Sequence, residues 1–229
     1  MLSYTYLIGS LCLFLIWSVI FILRKELRQE MLIMGFIGGF VSLMMGALVW
    51  TKDWWKPPTL TGTSIGIEDF LAGFAIVGVS AVIYQVIFSK QVTLTKKPDY
   101  KNVKLFIIIL AFTIILSNYL WLTKKVHSSI LWLTILIPVI TMYFMRRDLI
   151  WPSFFTGIVI TMGIIPIYLF MYYLEPTLFT EWWMNENLTG ITFLRIPIED
   201  ILWFFTAGLF TCPMYKFLAG EYIAYLPAQ

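Results

Sequence analysis

Long apolar runs dominate the chain, broken only by short polar segments. They predict helices near 4–23, 31–50, 67–89, 103–123, 129–145, 151–174 and 197–218. Most of these runs approach or reach the roughly 20 residues needed to cross a bilayer core. None alternates apolar and polar positions over about ten residues, as strands of a membrane barrel do. The pattern predicts an all-α, polytopic membrane protein with seven transmembrane helices. The two chain ends then lie on opposite sides of the bilayer.

Composition narrows the class further. The 229 residues are 60% hydrophobic and 13% charged, where a soluble domain carries about 25% charge. Too few polar side chains remain to cover a water-facing surface, which excludes a soluble enzyme, a nucleic-acid binder and a disordered chain. Seven spans of about 20 residues take about 140, so no separate soluble domain fits. No Lys or Arg precedes the first run and no small-residue cleavage site follows it. It reads as a true span and not as a removed signal peptide. Cys12 and Cys212 both fall inside apolar runs, so no disulfide framework is expected.

The net charge of +3 matters less than its distribution. One side holds eleven basic residues: Arg24, Lys25, Arg28, Lys90, Lys96, Lys97, Lys101, Lys104, Arg146, Arg147 and Lys216. The other holds five: Lys52, Lys56, Lys124, Lys125 and Arg195. The positive-inside rule then puts the N-terminus outside and the C-terminus in the cytoplasm. Acidic residues lean outward, with Asp53, Glu68, Asp69, Glu175, Glu181, Glu186, Glu199 and Asp200 on or near the outer side.

The chain also repeats itself. Arg28-Gln29-Glu30-Met31-Leu32-Ile33 opens the second span and Arg146-Arg147-Asp148-Leu149-Ile150-Trp151 the sixth. Trp54-Trp55 follows the second span, and Trp182-Trp183 the sixth. Ile65-Gly66-Ile67-Glu68-Asp69 leads into the third span, and Ile196-Pro197-Ile198-Glu199-Asp200 into the seventh. Three landmarks in one order predict two three-helix halves, 1–102 and 127–229, joined by a linking helix within 103–126. An odd linker leaves the halves in the same membrane orientation, a parallel repeat.

The acidic pairs carry the sharpest chemical signal. One pair alone is explained by capping, since carboxylates in a first helical turn interact with free N–H groups and the helix dipole. Two pairs at the same place in both halves point to function, the default for ionisable groups in a span. Neighbouring helical positions differ by about 100°, so one acid of a pair can face the bundle while the other points aside. Burial favours the neutral form of a carboxylic acid and a helix N-terminus the charged form, which leaves the balance open.

Other polar and aromatic residues are less specific. Arg24, Arg28, Arg146 and Arg147 read first as anchors at the inner interface. The functional alternative is that Arg28, Arg146 and Arg147 hold Glu30 and Asp148 in structural ion pairs within the bundle. Trp54, Trp55, Trp182 and Trp183 read first as an outer aromatic belt. Alternatively they line a cavity and face a cation, which indole attracts most strongly. His127 stands alone, so no metal site is visible. Asn187-Leu188-Thr189 is a single glycosylation sequon. Gly35 to Gly39 lies inside a span, where small residues let helices approach, and is no dinucleotide fingerprint.

Two three-span halves, each with an acidic pair opening its last helix, resemble the integral-membrane lycopene cyclase family. Pro197-Ile198-Glu199-Asp200 with Trp203-Phe204-Phe205 is similar to the family's Pro-x-Glu-Glu/Asp signature and aromatic tail. Gly66-Ile67-Glu68-Asp69 departs from it in having Gly at the proline position. Members occur as heterodimer subunits, as fused chains and joined to phytoene synthase; nearly the whole chain resembles the fused form without a synthase. The resemblance implies closure of the linear ends of lycopene into β-ionone rings with no net redox change. An acid protonates a terminal double bond, an internal double bond attacks the tertiary cation, and proton loss completes the ring. Glu199 and Glu68 are the implied acids, with Asp200 and Asp69 supporting them or taking part in proton transfer. Aromatic walls, Trp203 and Phe204 included, would shield the cation. The substrate would arrive from the bilayer between helices, with lipid and other carotenoid-pathway enzymes as partners and no nucleic acid. No Rossmann motif is present, so no flavin or other cofactor is expected.

Two other classes compete. Small sugar transporters share the three-one-three topology but carry Pro-Gln signatures, and this chain has no Pro-Gln dipeptide. A retinal-binding protein needs a Schiff-base lysine within the seventh span, where the one candidate, Lys216, lies near the cytoplasmic end.

Overall fold

The computed structural model describes residues 4–88, 91–95 and 99–224. Lys90, Lys96 and Lys97, counted above on the inner side, lie outside the described residues. Seven helices are long and apolar enough to cross a membrane: α1 Thr5–Leu23, α2 Lys25–Asp53, α3 Ile67–Ile87, α4 Tyr100–Lys124, α5 Ser128–Met145, α6 Arg147–Leu174 and α7 Ile198–Ala219. Helices α1, α2 and α3 pack together, as do α5, α6 and α7, and the halves meet mainly through α3 against α6 and α7. Helix α4 lies at the edge against α5, with Phe106 and Thr113 its buried residues.

Helices α2 and α6 start earlier than their apolar runs. A single residue, Arg24, separates α1 from a 3-10 turn, Lys25–Leu27, that leads into α2. Arg146 and the 3-10 turn Arg147–Leu149 do the same before α6. Each arginine pairs two residues on, Arg24 with Glu26 at 2.6 Å and Arg146 with Asp148 at 2.7 Å. Arg24 also donates to the carbonyls of Gln85 and Val86 at the end of α3, and Arg146 to that of Glu221 just past α7. Leu27 and Leu149 are buried beneath these turns. Arg24 through Leu27 therefore corresponds to Arg146 through Leu149. Arg28, expected to match Arg146, lies one helical turn past the true match, Arg24, with which it shares a face.

The expected ion pairs need a matching correction. Arg146 holds Asp148 through two hydrogen bonds of 2.7 Å, while Arg147 lies exposed. Arg28 does not hold Glu30. Two positions apart on a helix, they point to different faces. Arg28 donates to the carbonyls of Phe21 and Ile22 and lies over the Phe21 ring. Glu30 turns inward to Lys216 on α7 at 2.5 Å, and that ammonium also donates to the Ala81 carbonyl of α3 at 2.8 Å. Lys216 is thus no interfacial charge. It is fully buried and joins α2, α3 and α7.

The halves contact each other reciprocally at both ends. At one end Trp55 and Trp183 form an antiparallel bridge. Lys56 N–H donates to the Trp182 carbonyl at 2.6 Å, and Met184 N–H to the Trp54 carbonyl at 2.8 Å. With Trp54 matched to Trp182, these two bonds are the same bond made twice, the signature of a two-fold contact. At the opposite end β1, Gln91–Thr95, pairs antiparallel with β4, Glu221–Ala224. These strands follow α3 and α7, the matched last helices of the halves. A short hairpin of β2, Thr192–Phe193, and β3, Ile196–Pro197, precedes α7.

Candidate active site

The end of the bundle that carries the tryptophan bridge also gathers both acidic pairs. Each pair occupies the second and third residues of its helix and is buried. The glutamates behave alike. Glu68 Oε1 accepts from Leu60 N–H at 2.5 Å, and Glu199 Oε1 from Thr189 N–H at 2.6 Å. Each thereby ties back the loop that precedes its helix. In both, Oε2 is buried with no hydrogen-bond partner among the described residues.

The aspartates part company. Asp69 accepts from Gly66 N–H at 2.8 Å, closing the backbone at the start of α3, and from the Tyr6 hydroxyl at 2.8 Å. Asp200 has Pro197 at the matching position, which carries no N–H to donate. Its carboxylate instead accepts from Trp54 Nε1 at 3.1 Å, Trp183 Nε1 at 3.2 Å and the Tyr168 hydroxyl at 2.9 Å. Trp54 comes from one half of the chain; Trp183, Tyr168 and Asp200 come from the other. A Cβ at residue 66 would displace Glu68 Oε2 and lie 3.0 Å from Thr59 Cβ.

Beside Asp200 lies an apolar cavity of about 140 Å³, bounded by α1, α2, α3, α6 and α7. Asp200 is the one acidic residue in its wall among the described residues; Trp50, Trp54, Trp55, Trp203, Phe204, Tyr6 and Tyr168 supply the aromatic part. Of the six aromatic candidates, four therefore line the cavity. Trp183 stands behind Asp200 as a donor. Trp182 faces a second, polar recess with Lys56, Glu175 and Glu181, and its Nε1 donates to Glu175 at 3.3 Å. Its indole also meets the Tyr6 ring at 6.0 Å, separating recess from cavity. Trp54, Trp182 and Trp183 are buried and Trp55 is partly buried, so the tryptophan pairs serve as walls and partners and not as a lipid-facing belt.

Tyr6 and Tyr168 escaped sequence reasoning. A tyrosine inside an apolar run carries no local signal of its partner, which here is 63 residues away for Tyr6 and 32 for Tyr168. Asn187 of the sequon donates its side-chain N–H to the Asp53 carbonyl at 2.8 Å, an internal role. Among the described residues no group of three or more His, Cys, Asp or Glu could hold a metal ion.

The profile of the lycopene cyclase family matches residues 3–87 and 124–218, on both sides of most of α4. The chain belongs to the lycopene cyclase family. No curated protein and no solved structure matches it significantly. Membership assigns this cyclase-family chain to carotenoid cyclisation in a membrane setting. The acidic pairs and the cavity both lie within the matched segments.

Proposed function

We propose that this protein is a lycopene β-cyclase whose reacting acid is Asp200. The observation that carries the reading is a carboxyl group at the family signature, set in the wall of an otherwise apolar, aromatic cavity. A linear polyene end enters the cavity and Asp200 transfers its proton to the terminal double bond, leaving a tertiary carbocation. The internal double bond supplies the electron pair of the new carbon–carbon bond, and the charge moves to a ring carbon. Loss of a neighbouring proton to the Asp200 carboxylate forms the ring double bond and restores the acid. Protons balance and no electrons are exchanged with a cofactor.

The surroundings suit each stage. Tyr168, Trp54 and Trp183 hold the carboxylate left after proton transfer, as fixed donors do for developing charge. The indoles of Trp54, Trp55 and Trp203 face the space where the cation forms, and cation–π attraction is largest for desolvated indole. Glu199, expected from the family signature to be a donor, acts in this reading by holding the Thr189 loop.

The deciding experiment is expression in cells that accumulate lycopene, followed by pigment analysis. Wild type should yield cyclic β-ring products, and unchanged lycopene with inserted protein would overturn the assignment. Glu199→Gln, which keeps an acceptor for Thr189, should retain ring formation; its loss at normal protein level would return the donor role to Glu199. We further propose that the tryptophan end faces outward and the β1–β4 end the cytoplasm, on the positive-inside rule. Cysteine labelling at Lys56 from the outer face checks the orientation, and labelling only from the cytoplasm would reverse it.

A further inference from the structure

The cavity is smaller than the substrate that this reaction requires. At about 140 Å³ it resembles the roughly 150 Å³ engineered cavities that hold a single benzene. It can house one linear end as it folds into a six-membered ring. The rest of a long polyene must pass out through the wall.

One part of that wall differs from the rest. Val41 of α2 lines the cavity and is also 49% exposed on the apolar surface, so the cavity reaches lipid there. Ser42 follows Val41 in the same wall, Trp50 lines the cavity about 13 Å further along α2, and Trp203 of α7 stands against Trp50. The Trp50 and Trp203 rings meet edge to face at 5.7 Å, and both are only partly buried. Between α2 and α7 at this level two side chains close the gap, whereas α2 against α3 and α6 against α7 pack through close-set glycines. Trp50 also ends a π-helical turn, Gly46–Trp50, one turn before the end of its span. Such turns are frequent at functional sites.

We propose that the slot between α2 and α7, lined by Val41, Trp50 and Trp203, is the lateral portal and the subsite for the polyene chain. A linear, apolar polyene lies in it with one end in the cavity and the remainder in lipid. The ends are then cyclised one at a time, and a one-ring product backs out before its second end can enter. The location rests on the cavity size and on Val41; the nature of the chain rests on the lycopene cyclase reading.

The test compares Val41→Trp with Val19→Trp, a like substitution at a residue 47% exposed on α1 and outside the cavity wall. Both are supplied with lycopene in nanodiscs, and ring formation and bound carotenoid are measured per polypeptide. Val41→Trp should lose at least tenfold in both, and Val19→Trp should match wild type. A second arm is independent of folding effects. In Trp50→Cys with Trp203→Cys, loss of the Trp203 indole lowers basal turnover. A short bis-methanethiosulfonate should stop the remaining turnover and a reductant should restore it, while the reagent leaves each single variant at its own basal rate. Equal turnover by Val41→Trp and Val19→Trp, or undiminished turnover by the cross-linked pair, overturns the portal. Wild type that binds but does not cyclise lycopene overturns the activity alone, and bound carotenoid then decides the portal.

Discussion

A backbone N–H at residue 66 and its lack at residue 197 send two matched aspartates to different partners. Asp69 is drawn to the Gly66 amide and held there by Tyr6. Asp200, with no amide to cap, accepts from two indoles and a phenol beside the cavity. The departure of the first half from the family signature thus has a structural consequence: one acid is spent on the helix end and the other is freed. Asp200→Asn keeps size but has no carboxylic proton, so ring formation per folded molecule should fall by about 10²–10⁴-fold, the usual contribution of a general acid. Asp69→Asn should cost about 0.5–2 kcal/mol of stability, as cap losses do, with turnover per folded molecule retained. Pro197→Gly restores the missing donor and should pull Asp200 toward the helix end, lowering turnover while Asp200 itself is intact. Pigment analysis normalised to inserted protein reads all three. Wild-type turnover in Asp200→Asn would sink the assignment.

Among the elements, the Lys216–Glu30 pair is a buried ionic link between the halves at the end that carries the β1–β4 pairing. Both side chains are buried, and the ammonium reaches two helices of the first half. Removing one member of such a pair strands a charge, which costs about 3–5 kcal/mol, whereas replacing both with apolar residues is often neutral. Lys216→Met should therefore lower thermal stability in detergent sharply, and Lys216→Met with Glu30→Met should recover most of it. A double variant no better than the single would mean that the pair is not energetically coupled. Glu221, just past α7, is half-buried nearby; burial pushes its carboxyl up and the Lys216 ammonium draws it back. None of this was legible in the sequence. Seven spans, two acidic pairs and two tryptophan pairs were, because each is a local pattern of hydropathy or adjacency. The Lys216–Glu30 contact joins residues 186 positions apart, and Lys216 reads locally as one more basic anchor. The arginine repeat was visible but misaligned, since helical periodicity makes residues four apart look alike.

At the scale of the whole molecule, the contacts between halves repeat the logic of a symmetric dimer. The Trp55–Trp183 bridge at one end and the β1–β4 pairing at the other are the kind of contact that two copies of one subunit make about a two-fold axis. The site breaks that symmetry, because Asp200 takes Trp54 from the first half while Asp69 takes Tyr6 from its own. Neither half holds a complete site. Chains 1–126 and 127–229, expressed separately, should therefore be inactive alone and active together. The cut falls at the turn after α4, where Lys125 adopts a left-handed backbone at φ 51°, and severs no helix. Docking should depend on the joining contacts: Lys216→Met in the second fragment should weaken co-purification of the pair, and Glu30→Met in the first should restore it. Ring formation from one fragment alone would contradict a shared site. Two stably inserted fragments that fail to associate would show that the α4 linkage has to be covalent.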